Sequence, residues 1–128
     1  MKLEHVAINV EDARAMAAWY VEHCGMSYIR KTDTIPYIHF LLDSSGQSVI
    51  ELYSNPEVPL PDYRNMKPRI LHFAFVVEDM QTEHQRLITA GATALGDIET
   101  LPDGSQLCFM RDPWGLTIQL AKRSTPLV

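Results

Sequence analysis

The chain repeats itself. Residues 3–12 read LEHVAINVED and residues 70–79 read ILHFAFVVED, an offset of 67 that lays His5 on His72, Ala7 on Ala74 and Asp12 on Asp79. The halves also close alike, with VIELYS at 49–54 against TIQLAK at 117–122, an offset of 68. A repeat of this kind means that one supersecondary unit has been used twice, so the fold must be two copies of one module. Between the copies, SNPEVPLPDYRNMKPR at 54–69 holds Pro56, Pro59, Pro61 and Pro68. Proline fixes φ and removes a backbone donor, which makes this stretch a linker rather than a strand or helix. The expected organisation is one domain over 1–128, with module one at 1–53, the linker at 54–69, module two at 70–122 and a short tail at 123–128.

Each module reads strand, helix, three strands. Residues 3–10 alternate, with Val6, Ile8 and Val10 on one side and Leu3, His5, Ala7 and Asn9 on the other. Period two is the signature of a strand. Asp12 then offers a helix N-cap, Ala13, Met16, Ala17, Tyr20 and Cys24 recur at helical spacing, and Gly25 supplies a stop. Strands are expected at 26–33, 36–43 and 47–53, with Ser44-Ser45-Gly46 as a turn. Module two follows suit: a strand at 70–77, a helix capped by Asp79 with Met80, His84, Leu87 and Ile88 on one face and Gly91 at its end, then strands near 92–99, 105–111 and 116–122. Asp103-Gly104 marks a hairpin and Asp112-Pro113-Trp114-Gly115 a turn. Eight strands and two helices define an α+β fold of two tandem βαβββ modules, forming a cupped mixed sheet with the helices on one face.

Strand parity singles out four polar residues. His5 opposes Val6, Ile8 and Val10; Glu51 opposes Ile50 and Leu52; His72 opposes Leu71, Phe73 and Phe75; Gln119 opposes Leu116, Ile118 and Leu120. Polar side chains in the middle of a sheet cost free energy unless they find partners. Two imidazoles, a carboxylate and an amide oxygen share one obvious partner, a divalent cation. Taken singly, a strand histidine is more often structural, and an outward Glu or Gln is usually solvated. The repetition raises these four above that background, because one position carries His twice and another carries Glu and then Gln. His23, His39 and His84 have no repeat partner, Cys24 reads as core, Cys108 has no identifiable base, and Trp19 and Trp114 read as packing residues.

Composition narrows the partners. The formal charge of −5 leaves no basic excess to neutralise a phosphate backbone or grip an acidic membrane, so neither nucleic acid nor membrane is expected. No apolar run is long enough to span a bilayer, and MKLEHVAINVED lacks the apolar core of a signal peptide. Cys24 and Cys108 are distant and belong to no CxxC, which suits reduced thiols and a cytoplasmic protein. Phosphate-cradling glycine motifs are absent.

LEHVAINVED, VIELY, ILHFAFVVED and RDPWGLTIQL, in this order and spacing, resemble the vicinal oxygen chelate superfamily, which holds glyoxalase I, bleomycin-resistance proteins and ring-cleaving dioxygenases. The last segment is similar to that family's DPxGxxIEL. The resemblance covers nearly the whole chain. It implies a glyoxalase-like fold, a homodimer with sites that can form across the subunit boundary, and one divalent metal (Zn, Ni, Mn, Co or Fe) on His5, Glu51, His72 and Gln119. It also implies a lactoylglutathione lyase-like reaction on a small substrate that chelates the metal through vicinal oxygens, with an enediolate stabilised as a proton leaves carbon.

Gln119 departs from glyoxalase I, which has Glu there. An amide oxygen can coordinate but cannot take up a proton. That leaves Glu51 or a metal-bound hydroxide as the base. The site charge becomes about +1 with a divalent ion, which implies weaker metal retention. A non-catalytic binding or resistance protein is the alternative. A ring-cleaving dioxygenase ranks lower, since it draws its carboxylate from the position of Gln119.

Overall fold

A computed structural model describes residues 1–127. The chain divides into two compact units, Met1–Pro61 and Asp62 onward, and the division falls inside the proline-rich linker.

In the first unit, β1 (Val6–Asn9) leads into α1 (Ala13–His23), followed by β2 (Ser27–Lys31), β3 (His39–Leu42) and β4 (Val49–Tyr53). The sheet order is β1-β4-β3-β2, with β1 parallel to β4 and the other pairs antiparallel. Asp12 caps α1, its carboxylate accepting from Arg14 and Ala15 N–H groups at 3.1 Å each. Ala13, Met16, Ala17 and Tyr20 are buried, as their spacing predicts, and Trp19 joins them. This stripe packs on β3 and β4, where Leu41 and Leu52 have no exposed surface. Burying each such leucine contributes about 1.5–3 kcal/mol.

The second unit repeats the plan with β5 (Phe73–Val76), α2 (Met80–Thr89), β6 (Thr93–Thr100), β7 (Gln106–Arg111) and β8 (Thr117–Lys122). Its sheet order is β5-β8-β7-β6, again with one parallel pair, β5 with β8. Met80 and Leu87 are buried beneath α2, while Ile88 stays at its rim. The two βαβββ modules, eight strands and two helices are those expected from the repeat. Each module builds a four-stranded mixed sheet of its own.

The differences lie at element ends. β1 and β5 are shorter than the alternating runs, because each is an edge strand that finds ladder partners only from Val6 and Phe73 onward. β3 starts at His39 rather than residue 36. Pro36 has no N–H to give a ladder, and Tyr37 adopts φ +53 while donating to the Thr34 carbonyl at 2.7 Å. Cys24, read as core, instead terminates α1, its N–H donating to the Tyr20 carbonyl at 2.9 Å.

Asp79 caps α2. The Thr82 backbone N–H and hydroxyl hold its carboxyl below the usual carboxylate range, assisted by Lys122. A carboxyl lowered by folding contributes stability above its unfolded value and loses it as pH falls through the folded value. The stabilisation from this cap should therefore fade below about pH 4, and Asp79→Asn should flatten the pH dependence there while keeping the cap. Thermal unfolding followed between pH 5 and pH 2 checks this; an unchanged slope in the variant would exclude the contribution.

Candidate metal centre

The first unit brings His5 and Glu51 together. Parallel pairing sets Ala7 beside Glu51, and antiparallel pairing sets Phe40 on the other side of Glu51. His5 lies one residue ahead of β1 and two before Ala7, so its side chain falls on the face of Glu51. His5 Nε2 is 3.1 Å from Glu51 Oε2, with side-chain exposures of 29% and 14%. The imidazole stands edge-on to the Phe40 ring at 5.3 Å and 85°.

The second unit repeats this register. Ala74 and Phe109 flank Gln119 as Ala7 and Phe40 flank Glu51. His72 lies two before Ala74 and stands edge-on to Phe109, again at 5.3 Å and 85°. Gln119 is buried. The offsets seen in the sequence thus become two equivalent pairs, His5 with Glu51 and His72 with Gln119.

Proton counting shows how these pairs suit a cation. His72 Nδ1 is 3.1 Å from the Pro68 carbonyl, which can only accept, so Nδ1 carries the proton and a neutral ring keeps its lone pair on Nε2. A histidine oriented by its other nitrogen in this way is the usual metal ligand. His5 has carboxylate oxygens at both nitrogens, Glu4 at 2.9 Å from Nδ1 and Glu51 at 3.1 Å from Nε2. A neutral imidazole has one N–H for these two contacts. The remaining contact opposes lone pairs until a proton or a metal cation joins them. Two donors about 2.0–2.2 Å from one ion at tetrahedral or octahedral angles are roughly 3 Å apart, close to the spacing of the His5–Glu51 pair. Among the described residues, no three His, Cys, Asp or Glu side chains converge on one point.

Phe40 and Phe109 were not anticipated as site residues. Their signal is HFLLD at 39–43 against CFMRD at 108–112, an offset of 69. The aspartates in that match do equivalent work. Asp43 accepts from the N–H groups of Gln47 and Ser48, and Asp112 from those of Trp114 and Leu116, each closing the turn into the strand that carries Glu51 or Gln119.

The remaining candidates are structural. His39 is buried and donates from Nδ1 to the Tyr37 carbonyl at 2.6 Å. His23 packs near the Trp19 ring. His84 is half-buried on α2, and its Nε2 has no hydrogen-bond partner among the described residues. Burial pushes the Cys108 thiol up, and its Sγ lies 3.6 Å from Met80 Sδ, a poor setting for a nucleophile. Trp19 is buried packing.

A cleft of about 480 Å³ opens beside Phe109 and Gln119. A larger one of about 650 Å³ in the first unit is lined by Asn9, Tyr37 and the loop at 54–60 and touches none of the four candidate ligands.

Residues 2–120 match the family model of the Glyoxalase/Bleomycin resistance protein/Dioxygenase superfamily. The chain belongs to this superfamily. It is 31% identical over 126 residues to the uncharacterised protein YwkD of Bacillus subtilis (strain 168), covering 92% of this chain and 94% of that one. A glyoxalase family protein from Bacillus cereus superposes with a TM-score of 0.81 at 23% identity, covering 95% of this chain and 93% of that one. TnmS3, an antibiotic binding protein from Streptomyces sp. CB03234, superposes with a TM-score of 0.70 at 19% identity, covering 97% and 99%. These two structures share the superfamily fold. Among the described residues, no helix is long and apolar enough to cross a membrane.

Proposed function

We propose that this superfamily member is a metal-dependent lyase or isomerase of the glyoxalase type, with His5, Glu51, His72 and Gln119 as the ligands of one divalent cation in a homodimer. The carrying observation is the His5–Glu51 pair at 3.1 Å, with its register repeated at His72 and Gln119. A divalent ion on these residues would supply Lewis-acid polarisation to a small substrate bearing two neighbouring oxygens. The residues divide the remaining work. His5 and His72 present Nε2, each oriented through Nδ1. Phe40 and Phe109 fix the ring planes and limit water. Glu51 Oε2 is the candidate proton acceptor, because the Gln119 amide cannot hold a proton near neutrality.

The test is elemental analysis of the purified protein, followed by assay of isomerisation of the hemithioacetal of methylglyoxal and glutathione before and after chelation. Chelator-sensitive turnover is expected, and Gln119→Glu should retain metal against a chelator about tenfold better or more, since it adds a charge to the ligand set. Metal-loaded protein without any such turnover would sink the glyoxalase form of the proposal.

One observation favours a second reading. Gln119 removes a proton-transfer group from the position where glyoxalase I carries Glu, as expected of a protein that binds a small molecule without transforming it. The shared fold with an antibiotic binding protein is compatible with this. Tight binding of an unchanged ligand in the absence of metal would select it.

A further inference from the structure

The larger cleft, of about 650 Å³, lies wholly within the first unit. It forms where the segment at 35–37 meets the loop at 54–60. The Ser54 N–H joins the two by donating to the Pro36 carbonyl at 2.6 Å. Asn9 holds the loop from the end of β1, accepting from the Asn55 N–H at 2.8 Å and donating to the Val58 carbonyl at 3.1 Å. The Ser54 hydroxyl accepts from the Ala13 N–H at the start of α1, and the Asn55 side chain accepts from the Glu57 N–H. Asn9, Ser54 and Asn55 are thus engaged in shaping the cleft.

What it offers a ligand is apolar surface and two charges. Ile35, Val58 and Leu60 all line it and are all exposed. Large apolar side chains gathered on one concavity mark a binding surface, as scattered ones do not. Tyr37 adds an aromatic ring to the lining. Its backbone lies at φ +53, uncommon for so large a residue, and the Arg14 guanidinium stacks on the ring 4.2 Å from its centroid. Backbone strain of this kind gathers at ligand sites. The formal charges in the lining are the carboxylates of Glu11 and Glu57, both exposed. Among the described residues, no ion pair or hydrogen bond engages either carboxylate.

An anion would meet two like charges in this cleft. A neutral apolar molecule would bury its surface and leave both carboxylates unanswered. A cationic head on an apolar body answers the charges and the lining together. We infer that this cleft is a second ligand site, separate from the proposed metal centre, and takes a small apolar amine whose ammonium pairs with the carboxylate of Glu11 or Glu57. The volume of about 650 Å³ falls within the range of small-molecule sites. None of His5, Glu51, His72 and Gln119 lines the cleft, so its occupancy is independent of the metal.

The test compares three probes that share one apolar body: phenylbutylamine, phenylbutanol and phenylbutyrate. Binding to the full-length protein is followed by chemical-shift titration, with and without a chelator. The amine should bind about fivefold more tightly than the alcohol, the scale of one exposed ion pair, and the carboxylate should bind most weakly. Shifts are expected at Val58 and Leu60. In Glu11→Gln/Glu57→Gln the preference for the amine should vanish while the alcohol binds as before. Leu60→Ser should weaken amine and alcohol alike. All three substituted positions are exposed, so circular dichroism should show both variants folded. Equal affinity for amine and alcohol, a preference that survives in the double variant, no binding of any probe, or shifts that spare residues 54–60 would each overturn the inference. Binding lost on chelation would assign the amine to the metal centre and overturn it as well.

Discussion

His5→Ala is expected to lower affinity for a divalent cation by more than the 10–100-fold typical of losing a supporting contact around a metal, because the substitution removes a ligand outright. The same loss is expected for His72→Ala, whose place in the second sheet mirrors that of His5. His23→Ala should change nothing, since His23 packs on Trp19 in α1. Competition against a chromophoric chelator gives the affinities, and elemental analysis gives the content after dialysis. Glu51→Gln makes the sharper comparison. It preserves shape and leaves a neutral ligand set of two imidazoles and two amides, so metal should be lost although the fold is retained. Equal metal content in wild type and His5→Ala would remove the proposed centre altogether. Metal lost from His5→Ala but kept by His72→Ala would reduce the site to the His5–Glu51 pair.

Gly115→Ala is expected to cost about 3 kcal/mol or more of stability, combining strain at positive φ with overpacking. Gly115 has φ +93, and a Cβ there would lie 2.3 Å from Arg64 Cγ, 3.0 Å from Arg64 Cα and 3.1 Å from Arg64 N. Arg64 has little freedom to withdraw, because its Nη2 donates to the Pro113 carbonyl of the same turn at 2.8 Å. Arg111 adds a second tie, from Nη1 to the carbonyls of Gly115 and Tyr63 and from Nη2 to that of Met66. The turn that launches the Gln119 strand is thereby fastened to the end of the linker. Gly46→Ala is the control. Gly46 has φ +74 but nothing within 4 Å of its added Cβ, so it should show strain alone. Urea unfolding of both variants separates the terms, and equal destabilisation would rule out close approach as the reason for glycine at 115.

The ends of both helices were readable because their signals are local. Asp12 and Asp79 cap their helices through contacts within three residues, and Gly25 and Gly91 follow those helices at positive φ. Tyr37 was not readable in this way. Its left-handed backbone cuts β3 short, and no rule of strand alternation announces a tyrosine in that conformation. Phe40 and Phe109 were legible in principle through the HFLLD and CFMRD match. An aromatic on a strand reads as core, and only the ring geometry reveals that each stands against a histidine.

The repeat on which the chain is built settled, from sequence alone, the number of modules, their βαβββ order and the pairing of His5 with His72 and Glu51 with Gln119. Periodicity and capping are properties of neighbouring residues, and duplication writes them twice. Only the tertiary structure decided that His5 Nε2 meets Glu51 across a parallel strand pair and that the Pro68 carbonyl sets the proton on His72. The first depends on the register of strands whose residues lie 46 apart in the chain, and the second on the path the linker takes into β5. No local pattern encodes them.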